Sequence, residues 1–351
     1  MNSMKNLDFT MKAMILNNLT SLKEKSEPLS LVEIPIPKPK KGEVLIKVSA
    51  CGVCHTEIDE IEGRTPPAKF PIILGHQVVG RIVENGEGSQ KYNPDDRVGV
   101  AWIYSACGKC SFCQEGNENL CDDFLATGRD VDGGYAEYMI AKEDFIFPIP
   151  KVFSDAEAAP LLCAGAVGYR SLRLTGLKNG QHLGLTGFGA SGHLVLKMAK
   201  FKFPDSKIYV FARNPKERQF ALKLGADWAG DTTQRAPQKL HGIIDTTPVW
   251  KPVVEALANL EKGGRLVINS IRKEDNDKEY LLHLSYPDHL WMEKELKTVA
   301  NVTSRDVSEF LKLADRAGIK PEVKEFKLKD ANIALQELKS QKIRGAKVIV
   351  F

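Results

Sequence analysis

The chain has 351 residues, 43% hydrophobic and 27% charged, with a net charge of +4. That length exceeds one ordinary core and suits two domains. So small a charge gives no electrostatic case for nucleic acid or an anionic membrane as partner, and no apolar run approaches the roughly 18–20 residues of a membrane span.

The N-terminal MNSMKNLDFTMKAM lacks the apolar core of a secretory signal, so the expected location is cytoplasmic. Residues 11–50 read as short strands: MKAMIL, a Pro-rich surface crossing IPIPKPKKGE, then the alternating VLIKVSA. The stretch Cys51–Gly80 follows, with Cys54-His55-Thr56 and later His76 in a Gly-His-Gln turn. A thiolate and an imidazole on neighbouring loops can hold one zinc ion, which takes sulfur and nitrogen at about 2.0–2.3 Å and usually has four ligands. Two ligands leave that site incomplete.

VVGRIVENG and DRVGVAW continue the strand pattern, and YAEYMIA and DFIFPIP extend it past residue 130. The first part is therefore expected to be a partly closed β-barrel carrying metal-bearing loops. Within it, four of the seven cysteines crowd into fifteen residues: Cys107, Cys110, Cys113 and Cys121, spaced C-x2-C-x2-C-x7-C. In a reducing compartment such crowding reads as metal ligation before disulfides. Four thiolates close zinc's tetrahedron and leave no position for chemistry, so this is a structural zinc site. A four-iron cluster also takes four cysteines, but no other redox centre is visible in the chain.

The texture changes at Ser154. SDAEAAPLLCAGAVGYRSLRLTG opens with a helix-cap signal and has helical apolar spacing. Strands HLGLT, KIYVFA, HGIIDTT and GRLVINS then alternate with helical segments, which predicts a doubly wound parallel sheet. Two amphipathic helices, in SRDVSEFLKLADRAG and ANIALQELKSQ, and a closing strand AKVIVF end the chain. The expected division is 1–160 with 299–351 for the β-rich, zinc-binding domain, and 161–298 for an inserted dinucleotide-binding domain.

Gly187-Phe-Gly189-Ala190-Ser191-Gly192 is G-x-G-x-x-G, following a strand and opening a helix, which is the context this motif requires. Gly187 allows the tight turn, Gly189 the approach of a pyrophosphate, and Gly192 close helix packing. The phosphates are expected on the helix N-terminus. About twenty residues onward, an Asp or Glu would take the ribose 2′-hydroxyl of NAD. This chain has Ala212 there, then Arg213. Nothing repels a 2′-phosphate and a guanidinium can bind it, so NADP(H) is favoured over NAD(H). The alternative for Arg213 is a solvated surface residue.

Together these pieces resemble the zinc-containing alcohol dehydrogenases of the medium-chain dehydrogenase/reductase family. The resemblance spans nearly the whole length and rests on GVCHTE at 52–57, GHQVVG at 75–80, CGKCSFC with Cys121, GGYAEY at 133–138, LLCAG at 161–165, GFGASG at 187–192 and KIRG at 342–345. It implies an α/β fold, with a GroES-like partly closed barrel and an inserted Rossmann sheet. It also supplies the missing ligand: a catalytic zinc held by Cys54, His76 and Cys163, tied through Cys163 to the cofactor domain, with an exchangeable fourth position. Cys51 is left as a structural thiol.

The chemistry implied is hydride transfer between nicotinamide and a primary or secondary alcohol, aldehyde or ketone. In that scheme Thr56 accepts and passes the alcohol proton, Glu57 orients His76, Trp102 walls the substrate pocket and Arg344 lies near the pyrophosphate. Departures from the commonest family pattern are Glu57 for Asp, Asp59 for a relay His, and Gln77 for a Glu beside zinc. Relay to solvent then ends on Asp59 or on water. A homodimer or homotetramer is expected, with a small-molecule substrate. The alternatives are a zinc polyol dehydrogenase of the same family, disfavoured by Gln77, and a zinc-ribbon binding protein, disfavoured as a nucleic-acid binder by the absence of a clustered basic face.

Overall fold

The computed structural model describes residues 9–340 and 345–351, Ala190 by its backbone alone. The chain divides into two compact units: Met1–Cys163 with Thr303–Leu311 and Lys320–Phe351, and Ala164–Val302 with Lys312–Ile319. The first break falls after Cys163, so this cysteine groups with the first unit instead of with the second.

The first unit is built on the strand Glu43–Val53, whose Val, Leu and Ile residues are buried along nearly its whole length. One edge pairs with Val78–Asn85. The other edge is shared, by Tyr138–Lys142 along its first half and by Ala346–Val350 along its last four residues. The closing strand of the chain thus returns to the first unit. Arg97–Val100 and Ile146–Pro148 extend the sheet on one side and Val323–Lys327 on the other. These two ends do not pair among the described residues, so the sheet stays open there, in keeping with the partly closed barrel expected from the sequence. A second, three-stranded sheet has the order Leu29–Pro35, Thr10–Leu16, Ile72–Ile73. Leu16, Ile46, Leu74, Ile82 and Tyr135 fill the core these sheets share.

The segment from Ser154 reads in sequence as one helix, and the structure breaks it. Ser154 caps Asp155–Ala158 through a reciprocal capping box with Glu157, a tighter turn covers Ala159–Leu162, and a new helix runs Ala164–Leu174. Cys163 stands at the break, with φ −125 and ψ −78. Outside helical geometry its side chain takes a direction that a continuous helix would not give it.

The second unit is a six-stranded parallel sheet ordered Trp228–Gly230, Ile208–Phe211, Leu183–Thr186, Leu240–Asp245, Leu260–Ile268, Glu295–Thr298. Numbered along the chain this is 3-2-1-4-5-6, the doubly wound dinucleotide-binding order. The order reverses between Leu183–Thr186 and Leu240–Asp245, and ligands of such sheets bind outside the carboxyl ends of the strands at that switch. Gly187 comes directly after the first of those strands. No described helix is long and apolar enough to cross a membrane.

Candidate metal centres and dinucleotide turn

The helix His55–Ile61 is only seven residues long, and Cys54 is its N-cap. Cys54 Sγ accepts from the N–H of Thr56 at 3.3 Å, and the Glu57 carboxylate reaches back to the N–H of Cys54 at 2.8 Å. This is a capping box with sulfur in the place of the usual hydroxyl. It fixes the thiol by local backbone geometry alone. His76 is placed by Gly75, whose φ is +97 and whose absent Cβ would lie 2.5 Å from the Tyr135 ring and 2.8 Å from Cys51 Sγ. Any larger residue there would displace the turn.

Cys54, His76 and Cys163 bring one donor atom each to within 4.8 Å of one another, and no fourth described His, Cys, Asp or Glu joins them. Cys54 Sγ and His76 Nε2 are 3.7 Å apart. Bonds of about 2.0–2.3 Å in a tetrahedron give edges of about 3.3–3.8 Å, so Cys54 and His76 have the spacing of two ligands of one zinc ion, and Cys163 lies within reach as a third donor. Glu57 Oε1 lies 2.6 Å from His76 Nδ1, an oblique ion-pair contact in which both side chains are buried. The Glu in place of Asp therefore does reach the histidine. Contact with Cys163, then burial and the Glu57 charge, push the Cys54 thiol well above its ordinary range. For His76 burial acts to lower the pKa, but the charges of Glu57 and Cys54 prevail and raise it well above the usual value. Cys54 and His76 thus hold protons that a bound cation would displace.

Thr56 is half-buried at the start of the helix. Asp59 is buried and pairs with Arg64 Nε at 2.5 Å, so the carboxylate considered for proton relay is already engaged. Gln77 is buried, and its side chain lies where a Cβ on Gly52 would come within 2.7 Å of Oε1. Trp102 is buried with Phe124 at 5.1 Å between ring centroids, and the Arg129 guanidinium stands 5.1 Å above the same ring. Cys51 is buried and belongs to neither metal group.

Cys107, Cys110, Cys113 and Cys121 place four sulfurs within 4.8 Å of one another. Cys107 and Cys113 are 3.9 Å apart, and backbone N–H groups of Cys110 and Cys107 donate to the sulfurs of Cys107 and Cys121 at 3.4 Å each. Gly108 and Gly116, with φ near +70, let the loop turn between ligands. Donation from the N–H groups of Lys109 and Cys110 pulls the Cys107 thiol down to about 6, which favours the metal-binding thiolate. Four sulfurs fit a closed tetrahedral zinc site.

In the second unit, Gly187 has φ +76, and a Cβ on it would meet Thr246 and Thr247 at 2.8 and 2.9 Å. Gly189 caps the helix Ala190–Lys202 without any side-chain hydrogen bond and has open space where a Cβ would stand. Ser191 lies in the first turn. A Cβ on Gly192 would come within 3.2 Å of the Gly187 carbonyl, so this glycine serves packing. The helix therefore presents uncapped N–H groups beside a clear approach, the arrangement that binds phosphate. Ala212 is buried at the end of the second strand, and Arg213 after it is exposed. Arg344 lies outside the described residues.

Sequence reasoning missed three residues. Arg218 Nη1 donates to the carbonyls of Ala212 at 2.7 Å and Arg213 at 2.9 Å, fixing the turn that carries Arg213. Its position in the first turns of the next helix was the available signal. Lys273 pairs with the fully buried Asp245 and donates to the carbonyls of Thr247 at 2.7 Å and Val249 at 3.1 Å, tying down the loop after Ile268. No local pattern marks it. Glu60 is the third, buried on the face of the helix that carries Glu57.

Residues 40–151 match the family model described as alcohol dehydrogenase GroES-like domain. The chain is 38% identical over 328 residues to a Mycobacterium tuberculosis protein designated "Probable alcohol dehydrogenase AdhA", covering 92% of this chain and 93% of that one. It is 33% identical over 348 residues to an alcohol dehydrogenase of Geobacillus stearothermophilus, covering 97% and 98%. Among solved structures, a cinnamyl alcohol dehydrogenase from Sorghum bicolor superposes with a TM-score of 0.81 at 26% identity, covering 97% of this chain and 98% of that one.

Proposed function

The chain belongs to the zinc-containing alcohol dehydrogenases of the medium-chain dehydrogenase/reductase family, and on that premise we propose an NADP(H)-preferring enzyme that interconverts primary or secondary alcohols with aldehydes or ketones. The observation that carries this reading is the donor triangle of Cys54, His76 and Cys163 with Glu57 behind it. When bound, zinc supplies a Lewis acid that polarises the substrate oxygen, and the dinucleotide supplies the nicotinamide that exchanges hydride.

The residues divide the remaining work. Cys54 and Cys163, as thiolates, balance the charge of the ion, and Glu57 holds His76 in the orientation a ligand needs. Glu57 also bonds the Cys54 N–H, so one carboxylate braces two ligands. The Thr56 hydroxyl takes the alcohol proton and passes it outward. Asp59, engaged by Arg64, is less ready to receive it than its position in sequence suggests. Trp102 supplies an apolar wall for the substrate. The four-cysteine lobe holds a second, structural zinc.

Preference for NADP(H) rests on Arg213, exposed where a 2′-phosphate is expected, and on Ala212, which brings no carboxylate. Arg218 supports the same turn. A homodimer or homotetramer is supported by the second unit. Leu282, Tyr286 and Trp291 are 88%, 60% and 54% exposed, in the segment that leads into the edge strand Glu295–Thr298. Apolar exposure beside a free strand edge marks an assembly surface.

Elemental analysis with steady-state kinetics tests the reading. The expected result is two zinc ions per chain and alcohol-dependent reduction of NADP⁺ that a chelator abolishes. One zinc ion without such turnover overturns the site assignment, and a higher kcat/KM with NADH overturns the cofactor assignment.

A further inference from the structure

Glu60 follows Glu57 by three residues on the helix His55–Ile61 and so shares its face. It is fully buried, and neither of its carboxyl oxygens has a hydrogen-bond partner among the described residues. The charged groups that act on it come from every side: Glu57 on its own helix, His76 from the metal turn, and Arg129 and Asp130 from the loop after Ala126. Burial first, and then the Glu57 charge, push the Tyr135 phenol well above its ordinary range.

That loop is held against the metal turn by the backbone. Thr127 N–H donates to the Trp102 carbonyl at 2.8 Å. Gly128 lies so close to Gly75, the residue before His76, that a Cβ on it would stand 2.9 Å from the Gly75 nitrogen. Thr127 Oγ1 and the Tyr135 hydroxyl are buried and, like Glu60, have no hydrogen-bond partner among the described residues. Buried polar atoms of this kind are ordinarily satisfied by ordered water. A buried carboxylate without a partner is strongly disfavoured, so the neutral acid is the stable form. Burial first, and then the Glu57 charge, push Glu60 well above the usual carboxylate range.

We propose that Glu60 is a proton-holding residue of the metal centre, exchanging protons with it through water bound by the hydroxyls of Thr127 and Tyr135. It acts through that water and not on the substrate, and is thus a positioning residue. The role rests on the alcohol dehydrogenase reading of the Cys54–His76–Cys163 site. Carbonyl reduction consumes one hydride, from NADPH, and one proton. The Glu60 carboxyl releases its O–H proton through water to the Thr56 hydroxyl, which hands its own proton to the product oxygen, and the carboxylate left behind takes a proton back from solvent. In alcohol oxidation the same proton moves the other way, and Glu60 is unchanged over either cycle.

The test uses the zinc-loaded enzyme with Glu60→Gln and Glu60→Asp. Zinc content, the pH dependence of kcat/KM for carbonyl reduction, and the infrared C=O band of a neutral carboxylic acid are measured together. Glu60→Gln is expected to keep two zinc ions, lose one ionisation from the pH profile, lower kcat tenfold or more and lack the infrared band. Glu60→Asp is expected to retain the ionisation at a displaced midpoint. A Glu60→Gln profile that superimposes on the parent's overturns the proposal, as does a parent with no neutral-carboxyl band at neutral pH. Should Glu60→Gln not fold, the parent band and the Glu60→Asp profile decide alone. A parent that binds no zinc at Cys54, His76 and Cys163 overturns the site reading itself, and is detected by metal content before any variant is compared.

Discussion

Glu57 Oε1 lies 2.6 Å from His76 Nδ1, while the other oxygen of the same carboxylate accepts the N–H of Cys54 at 2.8 Å. One side chain therefore sets the ring of one proposed ligand and the backbone of another. Partners of this kind typically change metal affinity 10–100-fold when removed. Glu57→Gln keeps an acceptor for Cys54 but loses the charge on His76, and is expected to lower zinc affinity by roughly 10-fold or more. Competition with a chromophoric chelator measures it, and an unchanged affinity would show that His76 is held by other contacts. Because Cys54 and His76 hold their protons tightly in the metal-free protein, zinc uptake is also expected to release protons and to strengthen with rising pH.

Arg213 offers a direct check on cofactor choice. Hydrogen bonds to charged groups contribute roughly 1.5–3 kcal/mol. Arg213→Ala is therefore expected to lower kcat/KM for NADPH roughly 10–100-fold while leaving NADH nearly unchanged. Equal losses with both cofactors would remove the 2′-phosphate from the explanation.

Gln77 is buried next to His76, where a carboxylate would add negative charge to the centre. A nearby negative charge disfavours ionisation of an acid. Gln77→Glu is thus expected to shift the pH profile for alcohol oxidation upward. Superimposable profiles for parent and variant count against a field effect from this position.

Glu62 links the end of the helix that the proposed ligand Cys54 caps to the C-terminal part of the same unit. It pairs with Lys339 and Arg64, and its Oε1 accepts the Leu22 N–H at 3.1 Å. Burial alone would raise its pKa, but the hydrogen bonds from Lys339 and Arg64 outweigh it and hold the carboxyl at about 2, against an ordinary 4.5. A depressed pKa in the folded state means stability that is full above the unfolded value and lost as pH falls toward the folded one. Glu62→Gln is expected to cost about 1 kcal/mol near neutrality, discounted for solvent screening. The difference from the parent should shrink between pH 4.5 and about 2. Denaturant unfolding at several pH values measures this, and a pH-independent difference would assign the loss to packing.

Trp291 and Leu282 probe assembly. Replacing both by Glu places charge on exposed apolar residues of the segment leading into Glu295–Thr298. Sedimentation velocity should show a smaller species with unchanged far-ultraviolet circular dichroism. Retention of the parent's size would move the assembly surface elsewhere.

Much of the fold was legible because it repeats local rules. Period-two alternation marked the strand Glu43–Val53, and alternating strands and helices marked the parallel sheet. The four-cysteine lobe and the Gly187–Gly192 turn were legible for the same reason, since their partners lie a few residues apart. The break at Cys163 was not. Residues 154–174 have continuous helical spacing, and only packing decides that the helix stops and restarts there.

The site divides along the same line. By itself the sequence determined the donor types, the glycine turn and the absence of a carboxylate at Ala212, because residue identity and short spacing settle them. Only the tertiary structure decided that Glu57 braces both Cys54 and His76, that Arg64 engages Asp59, and that Glu60 is buried without a hydrogen-bond partner among the described residues. Asp59 and Glu60 are neighbours in the chain with similar chemistry, and a helix turns them in different directions. One meets a guanidinium and the other an interior without a counter-charge in contact, surroundings that spacing along the chain does not encode.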